Sequence, residues 1–486
     1  MPIHFGTDGW RAVISDTFTF ANLRMVAQAI ADATLVDLRK TGQLEQGKPN
    51  ATKIVVGFDT RFMSDRFARD VARVLAANGL QVYLAQSDCP TPAISFAARD
   101  LGAAAGVMIT ASHNPPRYNG LKLKSAQGSA ASKEQSKRVE VYLTDNESRG
   151  RGPNLMDYQL ARHKKLIRRF NPIPSYYEQL RTLIDFDLIA DNPQHIVVDS
   201  MYGSGRGVIK GILQGTGCEV HEIRNKMNPG FGGVHPEPIS RYLNALSSAI
   251  SSGEGALGLA TDGDADRIGA MDERGEFVDP HKIMALALKH LVTKRGMTGK
   301  VVRTVSTTRM IDRLAAEFDL ELEETPVGFN HIAEHMLTGD VLIGGEESGG
   351  ISFKGHIPEG DGVLMGLLLI EMVASSGGTL RELVAELLET YGPVHYSRTD
   401  LRLKRPVQKS EMTQRLAEEA PGMIGGENVA QVATTDGAKY ILEDDSWLLI
   451  RPSGTEPLLR VYAEGRSPEI LAELMAFGEQ VAEKAS

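Results

Sequence analysis

Lys53-Ile54-Val55-Val56-Gly57, an amphipathic stretch over residues 67–77, and Gln81-Val82-Tyr83-Leu84-Ala85 follow one another in this chain. An apolar run, a helix-length segment and a second apolar run make a βαβ unit, since parallel strands need a long crossover between them. The rhythm recurs at His195-Ile196-Val197-Val198-Asp199, through residues 203–213 to 218–223, and again at 300–305. Most of the chain is therefore expected to be α/β. The C-terminal part breaks the rhythm, with strands expected at 396–404, 439–442 and 447–450 ahead of a helix over 468–484, the order of an α+β domain. Polar stretches at 40–52 and 125–152 read as surface loops, the second ending at the breaker Arg149-Gly150-Arg151-Gly152-Pro153.

A length of 486 residues exceeds what one hydrophobic core serves and implies three or four domains. The boundaries are placed to give residues 1–171, 172–275, 276–391 and 392–486, the first at the proline pair of Asn171-Pro172-Ile173-Pro174. Hydrophobic residues at 42% and charged residues at 24% are the balance of a folded globular chain. A formal charge of −9 argues against nucleic acid as a partner, because displacing the counterions of a phosphate backbone needs excess cation. Two cysteines, Cys89 and Cys218, lie far apart without metal-ligand spacing, which suits a reducing compartment. No signal-peptide pattern opens the sequence, and its most apolar run, 363–370, is too short to span a bilayer, so a cytoplasmic protein without a membrane partner is expected.

Four apolar runs each deliver a polar loop rich in glycine or proline. They end in Thr110-Ala111-Ser112-His113-Asn114-Pro115, Asp262-Gly263-Asp264-Ala265-Asp266-Arg267, Gly345-Glu346-Glu347-Ser348-Gly349-Gly350 and Arg451-Pro452-Ser453-Gly454-Thr455. In α/β sheets, ligands gather at the carboxyl ends of strands, where loops and helix N-termini face open space. Asp262, Asp264 and Asp266 project three carboxylates from one tight loop, and these repel one another unless a hard divalent cation neutralises them. An EF-hand is the rival metal reading, since Glu273 is the twelfth position from Asp262; it fails because Arg267 takes the sixth position, where the turn needs glycine, and a short strand precedes the loop. Arg267 stands ready for a phosphate.

The other loops are less specific when read alone. Ser-His-Asn before proline is good turn chemistry as well as a way to present the Ser112 hydroxyl. Arg451, Ser453, Gly454 and Thr455 have the composition of a phosphate cradle, and equally of an ordinary β-turn. Glu346 and Ser348 supply the acceptor and hydroxyl that sugar hydroxyls require, or form a solvated acidic loop. Arg11, closing Gly6-Thr7-Asp8-Gly9-Trp10-Arg11, is another candidate anion ligand, or a surface arginine near a terminus.

Taken in this order, the four motifs resemble the α-D-phosphohexomutases, the family of phosphoglucomutases and phosphomannomutases. The resemblance runs from Gly6 to Arg460 and implies three α/β domains and a C-terminal α+β domain around a central cleft. It implies a phosphoserine at Ser112, Mg²⁺ on Ser112, Asp262, Asp264 and Asp266, sugar hydroxyls on Glu346 and Ser348, and phosphate on Arg451, Ser453, Gly454 and Thr455. Arg11 and Lys122, the latter in Asn119-Gly120-Leu121-Lys122, complete the positive surround of Ser112 with Arg267, and His113 is the first choice for proton transfer. The implied reaction moves a phosphoryl group between Ser112 and hexose phosphates through glucose 1,6-bisphosphate, in a monomer or dimer.

Where several phosphoglucomutases carry lysine, this chain has Asn330 and Gly360, and Gly350 replaces a histidine of some relatives, so His331 and His356 become substitute candidates for the base. Glu347 inclines the sugar loop toward glucose phosphate, because mannose- and glucosamine-directed relatives often carry methionine or glutamine there. The expected activity is therefore phosphoglucomutase. The alternatives are a phosphomannomutase or dual-specificity mutase, a glucose 1,6-bisphosphate synthase, or a non-catalytic sugar-phosphate binder.

Overall fold

The computed structural model describes residues 3–6, 8–42, 52–404, 407–453 and 458–485. Most of the polar stretch at 40–52, together with Thr7, Gly454 and Thr455, lies outside the described residues. Two compact units result, one from Met1–Ile283 with Gly328–Arg381 and one from Met284–Val327 with Glu382–Ser486.

The first unit opens with β1 (Trp10–Val13), α1 (Phe20–Lys40), β2 (Lys53–Phe58), α2 (Ser64–Ala77), β3 (Gln81–Ala85), α3 (Thr91–Asp100), β4 (Ala105–Ile109), β5 (Tyr118–Lys124), α4 (Lys133–Ser148) and β6 (Ile167–Phe170). The strands form one sheet in the order β1-β5-β4-β2-β3-β6. Its centre is parallel, with β2 against both β4 and β3, so the loops after β2 and β4 leave the same sheet edge as neighbours. Every residue of β4 is buried, as expected of a strand covered by helices on both faces.

The sequence reading of 125–152 as a loop is corrected by α4. Ser132 accepts from Gln135 N while its own N–H donates to the Gln135 side chain, a reciprocal cap that closes the first turn. Only Val139, Leu143 and Asn146 of this helix are buried, a stripe along its contact with α1 too narrow to stand out in a polar sequence.

A second sheet follows in the same unit, from β7 (His195–Asp199), β8 (Glu219–Ile223), β9 (Leu257–Thr261), β10 (Ile268–Met271) and β11 (Phe277–Val278), in the order β11-β10-β9-β7-β8. The loop from 262 to 267 is the connection between β9 and its antiparallel partner β10. The chain then contributes β12 (Lys300–Thr304), parallel to β13 (Leu322–Thr325), to the second unit. It returns to the first with β14 (Val341–Gly345), which pairs antiparallel with β15 (Ile351–Phe353) around the loop 346–350.

The apolar run at 363–370 belongs to the helix Gly362–Ser376, whose residues from Gly362 to Ala374 are all buried. Its N-cap Asp361 accepts from Leu364 N, and it packs on β9 and β10. No single helix among the described residues is long and apolar enough to cross a membrane.

The second unit closes with β16 (His395–Arg402), β17 (Met423–Ile424), β18 (Glu427–Ala433), β19 (Ala438–Leu442), β20 (Trp447–Pro452) and β21 (Leu458–Gly465). They form an antiparallel sheet in the order β16-β21-β20-β19-β18-β17, with the helices Lys409–Glu418 and Pro468–Ala485 packed on it. This is the α+β domain expected from the sequence, with β17, β18 and β21 added to the strands named there.

Candidate active site

The chain leaves β4 at Ile109 and three residues later enters the left-handed region, Ser112 having φ +52°. For a residue with a Cβ that conformation costs about 1–2 kcal/mol, so neighbouring contacts must hold it. Ser112 is 1% exposed. Its N–H donates to Thr110 Oγ1 at 2.9 Å, and its carbonyl accepts from Arg61 Nη2 at 2.5 Å. The hydroxyl donates to Asp262 Oδ2 at 3.0 Å and lies 3.3 Å from His113 Nδ1.

Loop 262–267 meets the serine from the second sheet. Gly263 is required there, since a Cβ on it would lie 2.5 Å from the Ser112 carbonyl oxygen. Asp262 Oδ1 accepts from the N–H groups of Asp266 and Arg267, which curls the loop back on itself. Asp264 Oδ2 accepts from Thr91 Oγ1 at 2.5 Å and pairs with Lys122 Nζ at 2.9 Å, while Asp266 Oδ2 pairs with the same ammonium at 2.6 Å.

Burial, followed by the charges of Asp266 and Asp264, pushes the Asp262 carboxyl well above the usual carboxylate range. Burial acts on Asp264 in the same direction but is outweighed by Lys122 and the Thr91 hydrogen bond, leaving it below that range. Asp266 is raised by burial and by Asp264.

The three aspartates offer oxygens that all lie within 4.8 Å of one another. Asp264 Oδ1 and Asp266 Oδ1 are buried without a hydrogen-bond partner. Buried anionic oxygens left unpaired are costly, and a hard divalent cation is the group that satisfies several at once. The donor set therefore fits such an ion. No other group of three potential metal-ligating side chains is gathered in this way among the described residues.

The remaining candidates fall into place unevenly. Arg11 Nη1 donates to Asn114 Oδ1 at 2.7 Å, which puts it on the serine loop. Lys122 is 1% exposed and bound to carboxylates, with Asp8 at 2.8 Å as its third, so its ammonium serves the acidic loop directly. Arg267 is partly buried, 3.7 Å from Glu237, with Asp266, Asp262 and Glu346 also holding its charge. Glu346 accepts from Ser348 Oγ at 2.8 Å, its Oε2 has no partner, and burial reinforced by Glu347 pushes its carboxyl up to about 7.

Loop 346–350 and the acidic loop are joined through the backbone. Ile268 N donates to Gly349 O, and Gly362 N donates to Ala265 O. A Cβ on Gly360 would lie 2.9 Å from Gly350 Cα and 3.0 Å from Asp266 O, so any side chain at 360 would have to displace main chain.

Asn330 is buried with Oδ1 unpartnered, and His331 follows it in the first turn of the same helix, Phe329–Thr338. His356, a substitute candidate for the base, has a fully buried side chain whose Nε2 is 2.9 Å from Asp361 Oδ2, where Tyr176 OH also donates. That cluster braces a helix cap. In the second unit, Arg451 Nε donates to Asp436 Oδ2 at 2.7 Å, and Ser453 N donates to Leu458 O.

The sequence reading passed over Asp59, Arg61, Thr91 and Asp8. Asp59-Thr60-Arg61 directly follows β2, so the strand-end rule that singled out four other loops applied here as well.

A serine hydroxyl hydrogen-bonded to one of three clustered, buried carboxylates, on α/β domains followed by an α+β domain, is the layout of a phosphohexomutase. Sequence profiles of the phosphoglucomutase/phosphomannomutase family match the chain in order: alpha/beta/alpha domain I at residues 2–150, domain II at 174–275, domain III at 279–391 and the C-terminal domain at 409–479. The chain belongs to this family.

It is 30% identical to a phosphoglucomutase/phosphomannomutase of Thermococcus kodakarensis over 99% of this chain and 98% of that protein. It is 31% identical to a phosphoglucosamine mutase of Carboxydothermus hydrogenoformans over 97% of each. A crystal structure from Thermus thermophilus, a phosphomannomutase by its provisional name, superposes with TM-score 0.84 at 34% identity over 99% of both chains.

Proposed function

We propose that this chain is a Mg²⁺-dependent phosphoglucomutase, interconverting glucose 1-phosphate and glucose 6-phosphate through a phosphorylated Ser112 and a 1,6-bisphosphate intermediate. The observation that carries the reading is the Ser112 hydroxyl 3.0 Å from Asp262, in a group of carboxylates with two unpaired buried oxygens. Asp262, Asp264 and Asp266 would hold the cation together with an oxygen of phosphorylated Ser112, and the bound cation would neutralise the carboxylates and draw charge from phosphoryl oxygens.

The chain's own groups account for the rest. A sugar hydroxyl attacks the phosphorus on Ser112; the new O–P bond forms as the Ser112 Oγ–P bond breaks, and the hydroxyl proton passes to a base. His113, with Nδ1 3.3 Å from Ser112 Oγ, is the assigned proton carrier. Arg267 and Arg11 stabilise charge on the transferring group. Glu346 and Ser348 hold sugar hydroxyls, and Arg451, Ser453, Gly454 and Thr455 hold the phosphate that is not reacting. Returning the other phosphate to Ser112 completes the exchange and regenerates the phosphoenzyme.

Glu347 supports glucose as the sugar. Phosphoglucosamine mutase is the second reading, favoured by the relative of that name matched over nearly the whole chain. Turnover on glucose 1-phosphate, glucosamine 1-phosphate and mannose 1-phosphate, each with Mg²⁺ and a trace of its bisphosphate, separates them. The main reading requires the highest kcat/KM on glucose 1-phosphate. A preference for glucosamine 1-phosphate replaces it with the second, and net accumulation of glucose 1,6-bisphosphate contradicts a mutase.

A further inference from the structure

Every polar backbone atom of Ser112 leads back to one carboxylate outside its loop. Asp59, at the end of β2, is 1% exposed, and its Oδ2 accepts from Thr110 Oγ1 at 2.7 Å and from Arg61 Nε at 3.0 Å. Thr110 Oγ1 in turn accepts from Ser112 N at 2.9 Å, and Arg61 Nη2 donates to Ser112 O at 2.5 Å. The result is a closed ring: Asp59 to Thr110 to the amide of Ser112, then from its carbonyl to Arg61 and back to Asp59.

Arg61 extends the hold beyond the serine. Its Nη2 also donates to Asn114 O at 2.8 Å, and its Nη1 to Pro115 O at 3.0 Å and Tyr118 O at 3.1 Å. Asp59 Oδ1 accepts from Arg61 N and Ser64 Oγ, both at 2.9 Å, which fixes the carboxylate itself. The guanidinium carbon lies 4.9 Å from the centre of the Phe231 ring, a contact that seats the plane of the fork. Four carbonyls on one rigid guanidinium is an arrangement that a lysine, with a single freely rotating ammonium, does not reproduce.

We infer that Asp59, Arg61 and Thr110 are positioning residues for phosphoryl transfer, imposing the left-handed conformation that aims the Ser112 hydroxyl at the acidic loop. The ring supplies what the strained serine needs: its amide and its carbonyl are both satisfied in this conformation, and the absence of a Cβ at Gly263 leaves room for the carbonyl. None of the three touches a reacting atom. Their effect is on where the nucleophilic oxygen sits, and a displacement on the order of 1 Å at such an atom costs about 10²-fold in rate.

The inference rests on the phosphoserine reading of Ser112, and its test keeps the two apart. Wild type, Arg61→Lys, Thr110→Val and the control Arg24→Ala are each mixed with glucose 1,6-bisphosphate and Mg²⁺, and phosphoryl gain on Ser112 is followed in time by intact mass. The control removes a half-buried pair with Asp70 that joins α1 to α2 and measures what destabilisation alone does. Arg61→Lys and Thr110→Val are expected to slow loading of Ser112 and lower kcat by about 10²-fold, with KM for the sugar phosphate within about twofold of wild type. Arg24→Ala keeps wild-type loading.

Loading of both site variants at the wild-type rate overturns the positioning role. So does an equal loss in the control at the same Tm. A wild-type protein that gains no phosphoryl group on Ser112 overturns the phosphoserine reading and this inference with it. Thr110→Val, which replaces a hydroxyl by a methyl of similar size, decides the matter if Arg61→Lys does not fold.

Discussion

Gly263 and the carbonyl of Ser112 are packed so closely that a single methyl group on the glycine would sit 2.5 Å from the oxygen. The two residues lie on loops that leave different sheets, and beside their approach the serine hydroxyl donates to Asp262. Replacing Gly263 by alanine must push the loops apart. We expect Gly263→Ala to destabilise the protein by about 2 kcal/mol in denaturant unfolding and to lower kcat at least tenfold. Wild-type kcat in that variant would show that the approach is incidental.

Three carboxylates crowded into one buried loop make the metal-free protein pay for their proximity. Asp262 carries the largest strain, since burial and both neighbours oppose its charge. Without metal at neutral pH, Asp262→Asn is therefore expected to be at least as stable as wild type, and to lose the rise in Tm that Mg²⁺ gives wild type. Thermal unfolding of both proteins in EDTA and in Mg²⁺ reads this directly. A metal-free variant less stable than wild type contradicts it.

Glu346 gives a pH signature with a defined sign. Its folded carboxyl is raised from 4.5 to about 7, so the folded state binds the proton more tightly than the unfolded chain does. That stabilisation is fully present below pH 4.5 and disappears as pH rises through 7. Glu346→Gln removes the titrating group, and relative to wild type it should gain at most about 3 kcal/mol between pH 5 and pH 8. Unfolding free energies of the two proteins at both pH values check the sign; a difference constant with pH refutes it.

Asp436 holds Arg451 in place within the second unit, and Lys409 shares the same carboxylate. If Arg451 binds the phosphate that is not reacting, loosening it weakens substrate binding more than chemistry. Asp436→Asn is expected to raise KM for the sugar phosphate about tenfold with kcat changed less than threefold. Steady-state kinetics decide, and a fall in kcat at unchanged KM assigns Arg451 a different task.

Much of the fold was legible because βαβ units announce themselves: β2 and β3 coincide with the apolar runs at Lys53 and Gln81, and β7 with His195–Asp199. What escaped was structure stabilised by few residues. α4 rests on Val139, Leu143 and a capping box inside a charged sequence, β17 is two residues long, and β18 buries none of its residues; β21, long and mostly buried, was passed over despite the apolar character of Leu458, Leu459, Val461 and Tyr462.

The acidic group was visible as a spacing because all three residues lie on one loop, whereas Lys122, named through the resemblance for the surround of Ser112, gave no sign that it pairs with Asp264 and Asp266. Lys122 and Thr91 reach Asp264 from far along the chain, and no period or motif records a contact made only by folding. The Asp59–Arg61 pair was missed for another reason. It sits at a strand end like the other loops, but an Asp-Thr-Arg turn without glycine offers no sign that its partners are main-chain carbonyls.

The central claim is that Ser112 carries the phosphoryl group. The most direct measurement compares wild type with Ser112→Ala on glucose 1-phosphate with Mg²⁺ and a trace of glucose 1,6-bisphosphate, while intact mass and peptide mapping follow phosphate on the chain. The account predicts one phosphoryl group on wild type, located at Ser112, and turnover lost by at least about 10³-fold in the alanine variant. Full turnover by Ser112→Ala, or a phosphoryl group mapped to another residue, would contradict it.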